Sequence, residues 1–216
     1  MVNSKTFELD YTIESAGIWG LSKVELWGTT DEGRTWRSFT VDADNRSPLQ
    51  ATVDAEGLYG FRIEVQRNGD ATALAPQSGQ QPEVWVLVDL TPPTLKLERI
   101  EQGAGAQADE LTVTWQASDA SLAPRPIALA YSPSPAGPWT EIASELENTG
   151  KHTWRLDQQT PERFYFRITA SDLAGNVGTF DTPQALRVEG VRPRGRIQGV
   201  RPLGTAGRSR VINNPY

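Results

Sequence analysis

The sequence predicts two antiparallel all-β sandwiches in tandem, followed by an irregular basic arm. Three observations predict this fold. Apolar and polar side chains alternate in short runs, clusters of Gly, Pro, Asp and Asn separate these runs, and the second half of the chain repeats the first. In the run Tyr59–Val65, for example, every second residue is apolar. No stretch of ten residues has a helical period, so we expect no long helix.

Length and proline placement predict the domain boundaries. At 216 residues the chain has room for two domains of about 100 residues each. Pro92 and Pro93 lack the N–H group that a strand ladder needs, so the ladder is expected to stop there. We therefore place one sandwich at residues 1–90, a linker at 91–95 and a second sandwich at 96–189. Residues 190–216, rich in Gly, Pro and Arg, form the arm.

The second sandwich repeats four apolar anchors of the first in the same order. Trp139 is the counterpart of Trp36, 103 residues later, and Phe164 is the counterpart of Tyr59, 105 residues later. The other two anchors are Phe7/Leu9/Tyr11, repeated as Leu111/Val113/Trp115, and Val24–Trp27, repeated as Ile127–Tyr131. A period of this length indicates duplicated domains, because solenoid repeats are much shorter.

Composition and charge narrow the classes of protein. The chain has no cysteine, which excludes disulfides and zinc–thiolate sites. It has no apolar stretch of membrane-spanning length, so we expect no membrane insertion. It has no signal peptide after Met1, so we expect Met1 to begin a fragment or a mature region, with a natural cytoplasmic start as the alternative. The net charge is −6, yet residues 190–216 carry six arginines and no acid, so residues 1–189 carry −12.

Four segments resemble bacterial fibronectin type III and related immunoglobulin-like modules. Leu111–Trp115 resembles the strand-B signature, and Phe164–Ala170 resembles the strand-F signature. Ser171–Asn176 is similar to the F–G turn, and Leu90–Pro93 to the joint between modules. The resemblance implies a tandem immunoglobulin/fibronectin-like fold, a core position for Trp115, a corner hydrogen bond from Tyr59 and an extracellular, cell-surface or periplasmic location.

The segment Thr29–Trp36 fits the Asp-box pattern S/T-x-D-x-G-x-T-W, which is known from sialidase-like propellers. Asp31 is expected to accept backbone N–H bonds, Gly33 to adopt a positive φ and Trp36 to pack under the turn. The pattern occurs once here, whereas propellers repeat it in each blade. We therefore interpret it as a structural turn.

No residue is nominated as catalytic, and we expect that the chain is not an enzyme. His152 is the only histidine, and no G-x-S-x-G elbow or cysteine nucleophile is present. We also expect no cofactor and no metal ligand, although calcium stays an alternative at acid pairs in loops. These pairs are Asp42/Asp44, Asp54/Glu56 and Asp109/Glu110.

Two features suggest binding. Trp19 and Trp27 are out of phase with the inner-face residues, so exposed rings are expected to contact a sugar or an interface. The arm has two interpretations: it is a flexible linker to further sequence, or its apolar residues flanked by arginine contact a partner's sheet edge. The arm residues concerned are Arg192, Arg194, Arg196, Ile197, Val200, Arg201, Val211 and Ile212. Nucleic acid is not expected, because no aromatic residues lie between the arginines.

These features favour a non-catalytic structural, adhesive or assembly module of an extracytoplasmic bacterial protein. A protein partner or self-assembly through the arm is the favoured contact. One alternative is a module that binds carbohydrate or protein through exposed tryptophan. Another is an accessory domain pair of a secreted hydrolase. The fold alone does not choose between them, because this fold has many functions.

Overall fold

The computed structural model describes residues 1–14, 20–69, 75–189 and 198–199. In these ranges the chain forms β-strands and one short 3-10 turn, Gly105–Gln107, so the prediction of an antiparallel all-β fold is confirmed. Within the same ranges no helix is long and apolar enough to cross a membrane. Trp19 and the eight arm residues named above lie outside the described residues.

The described residues of the N-terminal half form six strands. They are β1 (Thr6–Leu9), β2 (Leu21–Thr29), β3 (Arg37–Val41), β4 (Leu49–Thr52), β5 (Gly57–Arg67) and β6 (Val84–Val88). A four-stranded antiparallel sheet has the order β3-β2-β5-β6, and β1 pairs with β4 in a second, two-stranded sheet. Val2 forms an isolated parallel bridge with Val88 beside β6.

The two sheets of the N-terminal half enclose one apolar core. Leu26 and Phe61 from the larger sheet and Leu49 and Ala51 from the smaller one are all buried in it. The alternation in β5 has the predicted effect, because Tyr59 and Phe61 are buried. The Tyr59 hydroxyl donates to the Ala55 carbonyl at 2.9 Å, which is the expected corner hydrogen bond.

The C-terminal half contains eight strands. They are β7 (Thr94–Gln102), β8 (Glu110–Ser118), β9 (Leu122–Ser132), β10 (Thr140–Leu146), β11 (Lys151–Arg155), β12 (Arg163–Asp172), β13 (Val177–Asp181) and β14 (Leu186–Arg187). One sheet has the order β11-β8-β7, and the other has the order β10-β9-β12-β13, with β14 also paired to β12. Because β7 begins at Thr94, the second set of strands starts inside the predicted linker 91–95.

The C-terminal half has its own core, and the resemblance locates its main residues correctly. Trp115 is 2% exposed, and its indole Nε1 donates to Asn148 Oδ1 at 3.0 Å. Phe164, the residue that lacks the corner hydroxyl, is fully buried. Its ring packs edge-on against Tyr131 and Trp154, which stack on each other.

Candidate functional site

The Asp-box segment forms a turn that Asp31 holds from within. Asp31 Oδ1 accepts from the Thr35 amide at 2.9 Å and from the Thr29 hydroxyl at 2.8 Å, and Oδ2 accepts from the Thr35 hydroxyl at 2.7 Å. Hydrogen bonds from the Thr35 amide and hydroxyl and from Thr29 lower the pKa of Asp31 to about 2. Each of these donors lies within the turn, so the contacts of Asp31 are those of a structural residue.

Gly33 allows this turn to pack against a neighbouring loop. Its φ is +83°, a backbone conformation that glycine adopts without strain. A Cβ atom at this position would lie 2.0 Å from the Gln80 carbonyl oxygen and 3.5 Å from the Trp36 ring. The Gly79 amide also donates to the Gly33 carbonyl at 2.8 Å. The turn is therefore fixed on both sides, by Asp31 inside it and by residues 79–80 outside it.

Trp27 is less exposed than its phase in the strand suggests. Trp27 lies opposite Arg62 in β5 and faces away from the core residue Leu26, as its phase predicts. It is nevertheless only partly exposed, and its indole Nε1 is buried without a hydrogen-bond partner in the described residues. The expected open ring at Trp27 is therefore half covered.

Trp85 is an exposed tryptophan that the sequence analysis did not identify. It is 40% exposed in β6, and Leu58 on the neighbouring strand β5 is 50% exposed. Leu58 pairs with Leu87, two residues beyond Trp85, so Leu58 and Trp85 share the outer face of the sheet. The apolar run Val84–Val88 resembles a buried strand in sequence, and only its position at the sheet edge reveals the exposure.

Three carboxylates meet where the linker joins the C-terminal half. Asp89 follows β6, Asp119 follows β8 and Asp172 ends β12, and one oxygen from each lies within 4.8 Å of the others. The Ser121 hydroxyl contacts Asp89 at 2.9 Å, and the Asn176 amide nitrogen donates to the Asp89 carbonyl at 2.9 Å. Calcium binds carboxylate oxygens, so among the described residues these three acids have the chemistry of a calcium site.

Asp172 is the most enclosed of these acids, at 5% exposure. Burial acts to raise its pKa, but the side-chain and backbone hydrogen bonds from Asn176 outweigh burial, and the pKa lies below its ordinary value. Hydrogen-bond donors of the protein therefore already stabilise the ionised carboxylate of Asp172. The sequence analysis did not group these three acids, because the fold brings Asp119 and Asp172 to Asp89 from distant positions.

The acid pairs considered for calcium from the sequence have other contacts. Burial acts to raise the pKa of Asp42, but hydrogen bonds, first among them one from the Tyr11 hydroxyl, hold that pKa below its ordinary value. Asp54 accepts from Arg37 at 3.2 Å. Asp109 and Glu110 both pair with Arg155, at 3.3 and 3.1 Å.

His152 lies in the middle of β11, opposite Val113 in β8. Burial lowers its pKa, which favours the neutral ring. Among the described residues no carboxylate forms an ion pair with it.

A cavity opens in the N-terminal half between the end of β1 and the start of β6. Its volume is about 260 Å³. Apolar side chains from both sheets line it, including Leu9, Leu26, Phe61 and Val84, and so do the acids Asp10 and Glu83. The cavity thus gives access to the apolar core from a side on which acidic groups lie.

Comparison with known proteins assigns no family. No protein-family model and no curated protein matches the chain. Among solved structures, the chain is similar to the crystal structure of chicken CNTN1 FN1-FN3 domains, with 15% sequence identity and a TM-score of 0.34. The match covers 85% of this chain and 64% of that one, so this chain spans less than two thirds of that structure's length. Similarity at this level identifies neither a family nor an activity.

Proposed function

We propose that the chain is a non-catalytic structural or adhesive module of an extracytoplasmic bacterial protein, and that its copies assemble through residues 190–216. The observation that carries the proposal is the separation of charge. Six arginines lie in the last 27 residues without an acid, and the remaining residues carry a net charge of −12. Such a separation favours contact between the basic segment of one copy and the acidic surface of another.

The linker contacts support a role as a semi-rigid spacer made of two tandem sandwiches. On the N-terminal side, Glu56 accepts from the Leu90 amide and the Thr91 hydroxyl. On the C-terminal side, Asn176 and Ser121 bond to Asp89. Each half also has a separate buried core. Two cores joined by a hydrogen-bonded, proline-containing linker suit a module that maintains spacing.

A non-catalytic role is consistent with the environment of the polar residues. Asp31 is occupied by donors of its own turn. His152 is held in a strand pair. General acid–base catalysis requires a group that is positioned to exchange a proton with a substrate, whereas the Asp31 carboxylate is bound by donors of its own turn.

Recognition of carbohydrate or protein by an exposed tryptophan is the second candidate. The observation that favours it is Trp85, at 40% exposure beside Leu58, at 50%. An aromatic ring next to an aliphatic side chain gives a flat apolar surface of the kind that stacks on sugar rings or anchors a protein interface. This candidate depends on the outer sheet face and does not require residues 190–216.

Sedimentation velocity on the full chain and on a chain that ends at residue 189 tests the proposal. We expect the full chain to associate with rising concentration and the shorter chain to stay monomeric, with circular dichroism confirming that both are folded. Raising the salt concentration from about 0.15 M to about 1 M should weaken association, because charge contacts are then screened. A full chain that is monomeric at every concentration would falsify the proposal. Glycan binding lost in Trp85→Ala but kept in the shorter chain would favour the second candidate.

A further inference from the structure

The two halves differ at one strand position. In the C-terminal half, β8 is a central strand with β11 on one side and β7 on the other. The equivalent strand β1 pairs with β4, the counterpart of β11, and in the described ranges no strand lies on its other side. Among its described residues, the N-terminal half therefore has an open edge at β1 where the C-terminal half has β7.

The C-terminal half shows what a strand at this position contributes. Leu95, Leu97 and Ile100 of β7 pack against the core. Leu97 pairs with Trp115 and Ile100 pairs with Val113. In the repeat, Tyr11 and Leu9 correspond to Trp115 and Val113, and both line the open cavity of the N-terminal half. The cavity lies where apolar side chains of a counterpart of β7 would pack.

The backbone of β1 is oriented to accept such a strand. The Val53 amide donates to the Lys5 carbonyl at 2.9 Å, so the odd-numbered residues of β1 direct their backbone groups toward β4. Because direction alternates along an antiparallel strand, the N–H and C=O groups of Glu8 point to the open edge. An added strand would satisfy them, as edge pairing does in β-augmentation.

Charge determines which kind of segment suits this edge. The Glu8 side chain is exposed, and Asp10 and Glu83 lie at the cavity. Arg62 is also at the cavity but is engaged by Glu64 at 2.9 Å and Glu83 at 3.6 Å. An occupant with an apolar residue for the cavity and cationic residues for the outer face would therefore complement this edge.

From these observations, and on the basis of the proposed assembly through residues 190–216, we infer that the β1 edge of one copy binds the segment Arg208–Ile212 of a second copy as an added strand. Arg210 and Val211 are adjacent in this segment, and adjacent side chains of a strand point to opposite faces. An added strand can therefore direct Val211 to the cavity and Arg210 to the face that carries Glu8. It contains neither Gly nor Pro, unlike residues 195–202.

The geometry of the C-terminal half favours binding of the segment to the β1 edge of a second copy over binding to the β1 edge of its own chain. Glu189 is bonded to Gln102, the last residue of β7, by hydrogen bonds of 2.6 and 2.8 Å. The linker joins at Thr94, the first residue of that nine-residue strand, which is about 30 Å away at strand spacing. The basic segment therefore leaves the half at the end remote from the linker. Such head-to-tail contacts give rings or filaments.

Charge reversal in the full chain tests the inference by sedimentation velocity. Glu8→Lys should weaken association about tenfold, because a favourable cross-strand pair becomes a like-charge pair. Arg210→Glu should weaken it equally. An equimolar mixture of the two variants should associate again, because the glutamate introduced in one variant then faces the lysine introduced in the other. Glu147→Lys makes the same change of charge on an exposed residue away from β1 and should have no effect.

Each result is decisive. If Arg210→Glu prevents association but Glu8→Lys matches wild type, residues 190–216 drive assembly through another surface, and only this inference is overturned. If the wild-type chain is monomeric throughout, the proposed function fails as well. If the mixture does not recover, the two residues are not partners. Val211→Asp should also abolish association, with circular dichroism checking that the variant is folded, and wild-type behaviour of this variant would overturn the inference.

Discussion

Replacing Phe61 with leucine should destabilise the chain much more than the same replacement at Phe166. The two residues hold equivalent positions, in β5 and β12, and both are fully buried. Phe61 contacts three aromatic rings, with centroid distances of 5.8 Å to Phe7, 5.2 Å to Phe39 and 6.1 Å to Tyr59. Phe166 forms no ring pair in the described part of the chain, and its core cluster is mainly aliphatic, with Trp115 and Phe180 as the other aromatic residues.

The expected magnitudes follow from this difference. Leucine has three side-chain carbons fewer than phenylalanine, and this loss of buried apolar volume costs about 2 kcal/mol in a core. Each aromatic pair adds about 0.5–1.5 kcal/mol beyond burial, and the three pairs share one ring, so we assign them about 2 kcal/mol together. Phe61→Leu should therefore lower the free energy of unfolding by about 4 kcal/mol, and Phe166→Leu by about 2 kcal/mol.

Urea unfolding of wild type and both variants, followed by tryptophan fluorescence and circular dichroism, measures these values. The m-values should be unchanged, so that shifts of the midpoint report stability. Because the halves have separate cores, Phe61→Leu should shift the transition of one half and Phe166→Leu that of the other. Equal costs at the two positions, or a larger cost at Phe166, would refute the assignment of aromatic packing energy to the first core.

Three further predictions concern the turn at Asp31, the loop it contacts and the tyrosine corner. Gly33→Ala should destabilise the chain by about 2–3 kcal/mol, because the new Cβ would lie 2.0 Å from the Gln80 carbonyl oxygen at a positive φ. The control Gly79→Ala is also at a positive φ but has open space around it, and it should cost about 1 kcal/mol. Similar melting temperatures of the two variants would contradict the packing argument. Asp31 has a folded pKa of about 2 against an ordinary 3.8, so its contribution is full above 3.8 and is lost as pH falls toward 2. Asp31→Asn should therefore melt below wild type at neutral pH and at the same temperature near pH 2, and a gap that does not narrow in acid would exclude this role. Tyr59→Phe should cost about 1 kcal/mol through loss of the bond to the Ala55 carbonyl, measured by urea unfolding, and no loss would mean that water replaces the hydroxyl.

Local patterns in the sequence predicted the strands and the turn well. The alternation at Tyr59 and Phe61 depends only on neighbouring residues, and the structure buries both. The Asp31 turn was equally predictable, because its donors lie within four residues of it. The core position of Trp115 followed from the family resemblance and is confirmed.

Features that depend on distant residues were not predictable from these patterns. The meeting of Asp89, Asp119 and Asp172 requires three strand ends to converge. The open edge at β1 became visible only when the strand order of the two halves was compared. The partial cover of Trp27 likewise results from tertiary packing, since its phase in β2 directs it away from the core as expected.

Hydrogen–deuterium exchange on the full chain tests the assembly at the β1 edge most directly. The amide of Glu8 points to the open edge and should exchange quickly in dilute, monomeric protein. In concentrated protein, the peptide that contains residues 6–10 should become protected, and Arg210→Glu should remove that protection. Equal exchange at both concentrations, in a sample that sedimentation shows to be assembled, would contradict strand addition at β1.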